Sequence, residues 1–452
     1  MEFTIQDIIE LLTNKQYKQL RSILENMYPY EIAELFNELN KEYVPVAYRL
    51  LPKELAAETF VEMDSDAQAL LIRSFSDTEL KEVMDELYVD DAVDIVEEMP
   101  ANVVRRILDQ ATPEMRRNIN EILKYPELSA GSIMTTEFVE LKSFMTVAES
   151  ITRIRRTGVD KETIDMCYVT TGDRRLIGVI SLRMLILSEE DSVVADIMET
   201  NVISVNTLED REEAANMFSK YNVTALPVVD NESRLVGIIT VDDAIEVIEE
   251  EVTEDIEKMA AIVPGDKPYL KTGVFETWLR RIPWLLLLMI SATFTGGIIS
   301  YFEKALTTVP ILISFIPMLM DTGGNAGGQA SVTIIRGMAI GDIEMKDIFR
   351  VVWKEIRTAI ICGISLAAVG FLKIILVDNM IFDMGVTYME AFVICTTVFL
   401  TVLCAKIVGC VLPMFAKRIG LDPAVMASPF ITTIVDAISL SIFFIFATWF
   451  LL

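Results

Sequence analysis

The most constraining feature of this sequence is a C-terminal stretch, residues 423–452, whose only charged residue is Asp436. A transmembrane helix needs about 20 predominantly apolar residues, so this stretch is long enough to cross a bilayer. A carboxylate at the centre of such a span costs about 3 kcal/mol on insertion scales. Because residues of this kind mark ion pathways or buried partners, Asp436 is the first candidate functional residue.

Charge divides the chain into two halves near residue 270. Residues 271–452 contain 13 Lys and Arg against 12 Asp and Glu, a net charge of +1, so residues 1–270 carry −29 of the total of −28. A strongly acidic half repels nucleic acid and anionic lipid and attracts cations. We therefore expect no nucleic-acid partner. Acidic composition also favours solubility, which explains part of this charge without any ligand.

The residue types available restrict the chemistry. The sequence has no histidine, and none of its five cysteines is in a CxxC spacing, so zinc sites and disulfides are not indicated. A metal site must use oxygen ligands, which suit hard cations such as Mg2+ and Ca2+. No Lys-Ser/Thr follows the glycine-rich run near residue 325, which excludes a P-loop. We expect that the chain is not an enzyme.

Residues 1–125 are predicted to form helix after helix. Apolar residues recur at steps of three and four in IQDIIELL, YEIAELFNEL and DAVDIVEEM, with breaks at Pro or Asp. This spacing is typical of a helical-repeat superhelix, and an ordinary helical domain is the alternative. The N-terminus is acidic and does not resemble a signal peptide. Because the first apolar span comes only after residue 280, we expect a cytoplasmic soluble half.

Residues 126–250 contain an internal repeat. The run RLIGVISLRMLIL is echoed by RLVGIITVDDAIEVI, and an IMT opening by IME. Each half predicts a strand, a helix, two strands around a glycine and another helix, which resembles a tandem pair of CBS domains. The resemblance implies an adenine nucleotide such as ATP, with ribose contacts from Thr240 and Asp243. Met184 replaces the matching acid in the first half, so at most one site is expected, and a purely structural pair is the alternative.

A single acidic helix is predicted over residues 243–262, ending at Pro264 and Gly265, within a connecting region of residues 243–270. Its carboxylates occupy nearly every face, and like charges at i and i+4 destabilise a helix. Divalent cations that bridge it to the CBS surface and to Asp91 and Asp94 of the N-terminal domain would supply counter-charge. A solvated linker is the alternative.

Residues 271–452 are predicted to form a transmembrane domain of five helices. The predicted spans are about 282–302, 305–320, 358–377, 391–414 and 425–450. Basic residues concentrate before the first span and in the loops after the second and fourth, so the positive-inside rule places the N-terminus inside and the C-terminus outside. Lys373 and Lys406 lie within spans and are expected to snorkel toward the nearer surface.

Ser428, Thr432 and Asp436 are spaced at steps of four, so they lie on one face of the fifth predicted span. Such a stripe lines either a helix interface or a pore, and the central carboxylate favours the pore. Mg2+ keeps several waters and binds through one or two carboxylates, so hydrated Mg2+ suits this site, and two chains would supply two carboxylates. The run PMLMDTGGNAGGQAS predicts irregular backbone lining a cavity, and we count its Asn325 among the pore residues.

The motifs PMLMDTGGNAGGQ and LDPAVMASPFITTIVD, with the predicted spans and the CBS pair, resemble the MgtE family of magnesium channels over essentially the whole chain. The resemblance implies a homodimer built from an N-terminal superhelix, a CBS pair, a connecting plug helix and a five-helix membrane domain. It also implies that Asp436 is the pore aspartate and that Mg2+ bound by acids of the soluble half closes the pore. The matching acids are Asp243, Glu246, Glu251, Glu254 and Asp255.

The sequence therefore predicts a Mg2+-selective channel of the cell membrane that cytosolic Mg2+ closes. Three other classes were weighed. A CBS-regulated anion channel would need more spans and would gain nothing from Asp436. An enzyme or transport ATPase would need a catalytic barrel or a Walker A motif. A membrane-anchored sensor that conducts nothing fits the same sequence, and a flux measurement separates it from a channel.

Overall fold

The fold is taken from a computed structural model, which describes residues 5–265, 267, 269–426 and 428–452, without the side chains of Asp160 and Ser428. The chain divides into two compact units, Met1–Ile248 and Glu249–Leu452. The first unit contains the acidic part of the sequence, and the second contains the long apolar helices.

Ten short helices occupy the described residues up to 122. They are α1 Ile5–Thr13, α2 Tyr17–Leu24, α3 Pro29–Glu38, α4 Val44–Tyr48, α5 Lys53–Val61, α6 Ser65–Ser74, α7 Asp77–Met84, α8 Val89–Glu98, α9 Ala101–Gln110 and α10 Pro113–Ile122. Each helix buries one apolar stripe, and successive contacts join α3 to α5, α5 to α7, α7 to α9 and α8 to α10. Packing between helices two apart is typical of a solenoid, which confirms the predicted superhelix.

Two similar half-domains follow. The first contains β1 Val139–Lys142, α11 Val147–Thr157, β2 Met166–Thr170, β3 Leu176–Ser181 and α12 Leu182–Leu187. The second contains α13 Val194–Ile197, β4 Val205–Asn206, α14 Arg211–Tyr221, β5 Ala225–Val229 and β6 Leu235–Thr240. In each half the first strand pairs parallel with the second, and the second antiparallel with the third. This repeat confirms the predicted pair of CBS-like domains.

The opening segment of each half lies against the sheet of the other half. A Cβ atom on Gly237 would come within 2.6 Å of Met134 Sδ, and one on Gly178 equally close to Met198 Sδ. Isolated β-bridges join Thr135 to Ile238 and Val179 to Glu199, so backbone contacts accompany both side-chain contacts. The repeated IM and Gly signals of the sequence therefore belong to one reciprocal contact.

The acidic connecting helix is α15, Val241–Met259, and the boundary between the two units falls inside it, after Ile248. At its start, the backbone N–H of Thr240 donates to Asp243 Oδ2 at 3.3 Å, which caps the first turn. It ends before Ala261, which has a left-handed φ of 55°. The predicted helix over 243–262 therefore exists, with slightly earlier bounds.

The second unit is built from α16 Val274–Tyr301, α17 Glu303–Thr308, α18 Ile316–Ala339, α19 Ile348–Lys373, α20 Tyr388–Arg418 and α21 Ser428–Leu451. Among the described residues, four helical segments are long and apolar enough to cross a membrane. These segments are Val274–Tyr301, Met345–Asn379, Tyr388–Arg418 and Pro423–Leu451. The glycine-rich α18 has 24 residues and also has membrane length, at about 1.5 Å per residue.

Two predictions about the second span were wrong. Residues 305–320 do not form one helix, because α17 ends at Thr308 and a 3-10 segment, Pro310–Phe315, precedes α18. The glycine-rich run is a regular part of α18 rather than irregular backbone. Its glycines instead allow close packing, since a Cβ on Gly323 would come within 2.8 Å of both Thr401 and Val435, and one on Gly327 equally close to Ile431.

The prediction that Lys406 snorkels was also wrong. Its side chain is 8% exposed, and its Nζ lies 3.5 Å from Glu355 Oε2, which is itself buried. An ammonium enclosed by packed helices cannot reach a membrane surface, so a carboxylate neutralises it locally. Lys373 differs, because its half-exposed side chain reaches Asp378 at 2.8 Å near the end of its span.

Replacing Glu355 alone with Leu should leave the buried Lys406 ammonium without its carboxylate partner. The second unit should then lose about 3 kcal/mol of stability, as expected for breaking a buried pair. The double variant Glu355→Leu/Lys406→Met should recover most of the loss, since neither charge is then buried. Thermal unfolding of the purified protein in detergent measures both. Equal losses in the single and double variants would contradict the pairing.

Candidate functional site

The predicted pore stripe lies on α21. Thr432 and Asp436 are one turn apart, and both are partly exposed. The Thr432 hydroxyl donates to Pro429 O at 2.9 Å, which leaves its lone pairs free to accept a hydrogen bond from a water. The side chain of Ser428 lies outside the described residues, although its backbone begins the helix. The structure therefore places two of the three residues side by side on α21.

A second polar face lies on α18. Asp321, Asn325 and Gln329 follow one another at steps of four, and all three are exposed, whereas the neighbouring glycines are buried. Sequence analysis singled out Asn325 but missed Asp321, although the i, i+4 spacing within the same motif was the available signal. A membrane-length helix with an uncovered polar face requires water or a partner on that face.

The two polar faces adjoin. A Cβ on Gly324 would come within 2.9 Å of Thr432, and one on Gly323 within 2.9 Å of Ser439 Oγ. These contacts define an antiparallel register between α18 and α21, which puts Asp321 at about the level of Asp436. Asp321, Asn325 and Gln329 therefore lie on a helix in direct contact with the helix of Asp436. Oxygen ligands of this kind suit a hydrated hard cation.

A separate cluster of carboxylates lies in the first unit, where α8, the first CBS-like half and the start of α15 meet. Its members are Asp90, Asp91 and Asp94 from α8, Glu137 and Glu162 from the CBS-like half, and Asp242, Asp243 and Glu246 from α15. We call these eight residues the joint cluster. It brings together four predicted site residues, namely Asp91, Asp94, Asp243 and Glu246.

Three members of the joint cluster form a potential metal site. One carboxylate oxygen from each of Asp90, Glu137 and Glu162 lies within 4.8 Å of the other two. Asp90 is 8% exposed. Among the described residues, Asp90 Oδ1 and Glu162 Oε2 are buried without a hydrogen-bond partner. Orphaned oxygens converging on one point fit a Mg2+-like cation, whose ligands are oxygens and waters.

Several carboxyl groups of the joint cluster have strongly raised pKa values. Burial, reinforced by the neighbouring carboxylates, raises the pKa of Asp91 to about 7, of Asp94 to about 8 and of Glu162 to about 9. Burial likewise raises the pKa values of Asp90 and Asp243. These carboxylates therefore keep their protons at a higher pH than exposed acids do. Sequence analysis missed Glu137 and Glu162, because they lie in loops far from α8 along the chain.

The remaining predicted site acids lie in the second unit. Glu254 Oε1 is 2.5 Å from Lys258 Nζ. Asp255 is half-buried, and burial together with the nearby Asp422 raises its pKa. Glu251 is partly exposed on the same helix. These acids belong to a different environment from the joint cluster, because a lysine already accompanies Glu254.

Comparison with known proteins accounts for nearly the whole chain. A family model described as divalent cation transporter, MgtE, matches residues 316–446. Models of the MgtE intracellular N domain and of the CBS domain match residues 27–128 and residues 130–189 and 194–250. A magnesium transporter MgtE from Thermus thermophilus is 36% identical over 96% of this chain and 95% of its own length. The chain belongs to the MgtE family.

Other relatives agree with MgtE membership. A magnesium transporter MgtE from Bacillus subtilis is 32% identical over 98% of this chain and 96% of its own length. The crystal structure of the cytosolic domain of the Mg2+ channel MgtE in complex with ATP is 37% identical and superposes with a TM-score of 0.52, over 54% of this chain and all of that one. The soluble part of a magnesium transporter superposes with a TM-score of 0.51 at 31% identity, over 55% and 97% of the two chains.

The nucleotide prediction rests on Thr240 and Asp243. In this MgtE chain the Thr240 hydroxyl and backbone N–H both donate to Asp243 Oδ2. The same carboxyl group belongs to the joint cluster, where Asp90 and Asp242 raise its pKa beyond the effect of burial. Asp243 is therefore placed both for capping α15 and for contact with a cation, and its contact with a ribose stays a prediction.

The joint cluster should make the first unit sensitive to pH when divalent cations are absent. Carboxyl groups of the unfolded chain titrate near pH 4, whereas those of Asp91, Asp94 and Glu162 titrate between about 7 and about 9 in the folded unit. Between these limits the folded state binds more protons, so its stability falls as pH rises. Mg2+ should reduce this dependence, because it binds the deprotonated carboxylates.

Hydrogen–deuterium exchange of α8 in the full-length protein measures this effect. In EDTA, protection of α8, corrected for intrinsic exchange rates, should fall between about pH 6 and pH 9, and Asp91→Asn/Asp94→Asn should flatten the decline. A matched control is Glu189→Gln/Glu190→Gln, which changes two exposed acids. A decline that is equally steep in the cluster variant and in the control would contradict the assignment.

Proposed function

We propose that this MgtE chain conducts Mg2+ across the cell membrane, with its first unit in the cytoplasm and its C-terminus outside. Family membership and the names of its relatives as magnesium transporters support the ion. The observation that carries the proposal is the uncovered polar face of Asp321, Asn325 and Gln329 on α18, which packs against α21, the helix that contains Asp436. Polar groups at this depth need water, and a water-filled path is what a cation requires.

The conducting form is proposed to be a homodimer with the pore on its two-fold axis. A second copy would cover the polar face of α18 in the way that an isologous interface requires, with the same patch on both subunits. Two Asp436 carboxylates would then face one path. Together with Thr432 and Asn325 they would hold Mg2+ through its hydration waters, because one or two carboxylates do not strip the shell of this ion. Ser428 would extend this stripe by one turn.

Cytosolic Mg2+ is proposed to close the channel by binding the soluble half. In the joint cluster, carboxylate oxygens of Asp90, Glu137 and Glu162 lie within 4.8 Å of one another, so the three groups repel one another when they are ionised. A cation that binds only when these groups are together favours the compact arrangement by mass action. The joint cluster adds Asp91, Asp94, Asp243 and Glu246 to the binding surface, while Glu251, Glu254 and Asp255 are proposed to transmit closure along α15.

An adenine nucleotide is proposed as a further ligand of the CBS-like pair. The support is the solved cytosolic domain of a Mg2+ channel MgtE, which was crystallised with ATP and superposes on this chain. In this chain Thr240 and Asp243 are the candidate contacts. A nucleotide that engages Asp243 would compete with a cation in the joint cluster, because both use the same carboxylate.

Replacing Asp436 with Asn keeps the shape of the side chain and removes its charge, so Mg2+ uptake into proteoliposomes should fall at least about tenfold while the dimer remains intact. Asp383→Asn is the control, because Asp383 is an exposed loop residue with a left-handed φ of 50°, which Asn also tolerates. Uptake at the parental rate in the Asp436→Asn protein would refute the pore assignment. It would leave open only a sensor or a pathway elsewhere.

Replacing Asp90 with Asn and Glu162 with Gln should make closure less steeply dependent on Mg2+, because the variant keeps fewer ligands. Patch-clamp recording with Mg2+ varied on the cytoplasmic face measures the slope of open probability against concentration. Glu189→Gln/Glu190→Gln again serves as the control for the loss of two negative charges. An unchanged slope in the Asp90/Glu162 variant would show that the joint cluster takes no part in closure by Mg2+.

A further inference from the structure

The C-terminal turns of α15, which belong to the second unit, pack against other residues of that unit through a small apolar cluster. Met259 packs against Ile335 on α18 and Ala424 in the 3-10 segment Pro423–Met426 that leads into α21. Both neighbours are almost fully buried. The end of the connecting helix therefore sits on the two helices that carry the polar faces of the candidate pore.

A lysine joins this end of α15 to the same segment. Lys258 Nζ lies 2.6 Å from Asp422 Oδ2 and 2.5 Å from Glu254 Oε1, and its side chain is only 22% exposed. The other oxygen of Asp422 accepts the Ala424 N–H at 2.8 Å, which fixes the carboxylate. Asp255 lies close to Asp422, and Arg336 partly offsets the charge of Asp255.

We propose that Lys258 is a resident cation that keeps the end of α15 packed on α18 and on the segment leading into α21 when no divalent ion is bound. Its ammonium lies between carboxylates from two elements, Glu254 of α15 and Asp422 before the 3-10 segment, which is the position that a bridging metal ion would otherwise need. Charge-assisted hydrogen bonds of this length are the strong ones in proteins. A Mg2+ ion cannot bridge the same two carboxylates until the ammonium leaves.

This assignment gives Glu254 a different role from the one predicted from the sequence. Glu254 was predicted as a Mg2+ ligand, but its partner in the structure is Lys258. Sensitivity to Mg2+ would then reside in the joint cluster, while the Lys258 contact fixes the C-terminal end of α15 against the segment that leads into α21. The docking itself does not depend on the proposed transport of Mg2+, and only its consequence for gating rests on that proposal.

Disulfide cross-linking tests the docking in the full-length protein. Met259→Cys and Ala424→Cys form the reporter pair, in a chain whose five native cysteines are replaced by Ala. With Lys258 in place, the reporter pair should cross-link in proteoliposomes at the same rate in EDTA as in millimolar Mg2+. Lys258→Met should slow the reaction in EDTA at least about tenfold, as expected for losing hydrogen bonds to charged groups. Millimolar Mg2+ should restore the rate, since the carboxylates are then free to bind it.

The controls separate charge from folding. Lys258→Arg should cross-link like the parent chain, and Lys346→Met, which removes an exposed lysine paired with Glu344, should have no effect. The exchanged pair Lys258→Asp/Asp422→Lys should recover cross-linking in EDTA, which a misfolded chain would not do. The inference is overturned if the reporter chain needs Mg2+ to cross-link with Lys258 in place, or if Lys258→Met cross-links at the parental rate in EDTA. Mg2+ uptake by the same proteins reports on transport separately.

Discussion

Repulsion among buried carboxylates is the constraint on which the first unit depends. The joint cluster gathers acids from three parts of the chain, and burial gives several of them pKa values between about 7 and about 9. Apolar packing of α8 and the CBS-like halves must hold these charges together against their own field. The stability of the contact between α8, the first CBS-like half and α15 therefore depends on what neutralises the carboxylates of the joint cluster. Protons and oxygen-seeking divalent cations are the two agents that suit carboxylates without histidine or thiolate ligands nearby.

The second unit solves a different problem, which is to keep polar groups within apolar helices. The buried charges of Lys406 and Glu355 lie next to one another inside the bundle. Asp321, Asn325 and Gln329, in contrast, lie on an uncovered face of α18, while the glycines on its other face allow α20 and α21 to approach closely. Thus the same helix supplies tight packing on one side and a polar surface on the other.

Sequence patterns predicted most of the architecture, because amphipathic periodicity and the CBS-like repeat are local signals. They also predicted α15 and the stripe that contains Thr432 and Asp436. The glycine-rich run was misjudged, since a single sequence does not show whether glycines loosen a backbone or let another helix approach. Glu137 and Glu162 were missed for a related reason, because only the folded chain brings these loops to Asp90. Lys258 was not recognised as a partner of Asp422, which lies 164 residues further along the chain.

The reciprocal placement of Met134 on Gly237 and Met198 on Gly178 has a consequence for how the CBS-like pair folds. Neither half covers its own sheet completely. We therefore expect neither half to stay folded alone after the chain is cut between α12 and α13. The pair must fold and open as one body, because each half lends the other a segment that covers its sheet.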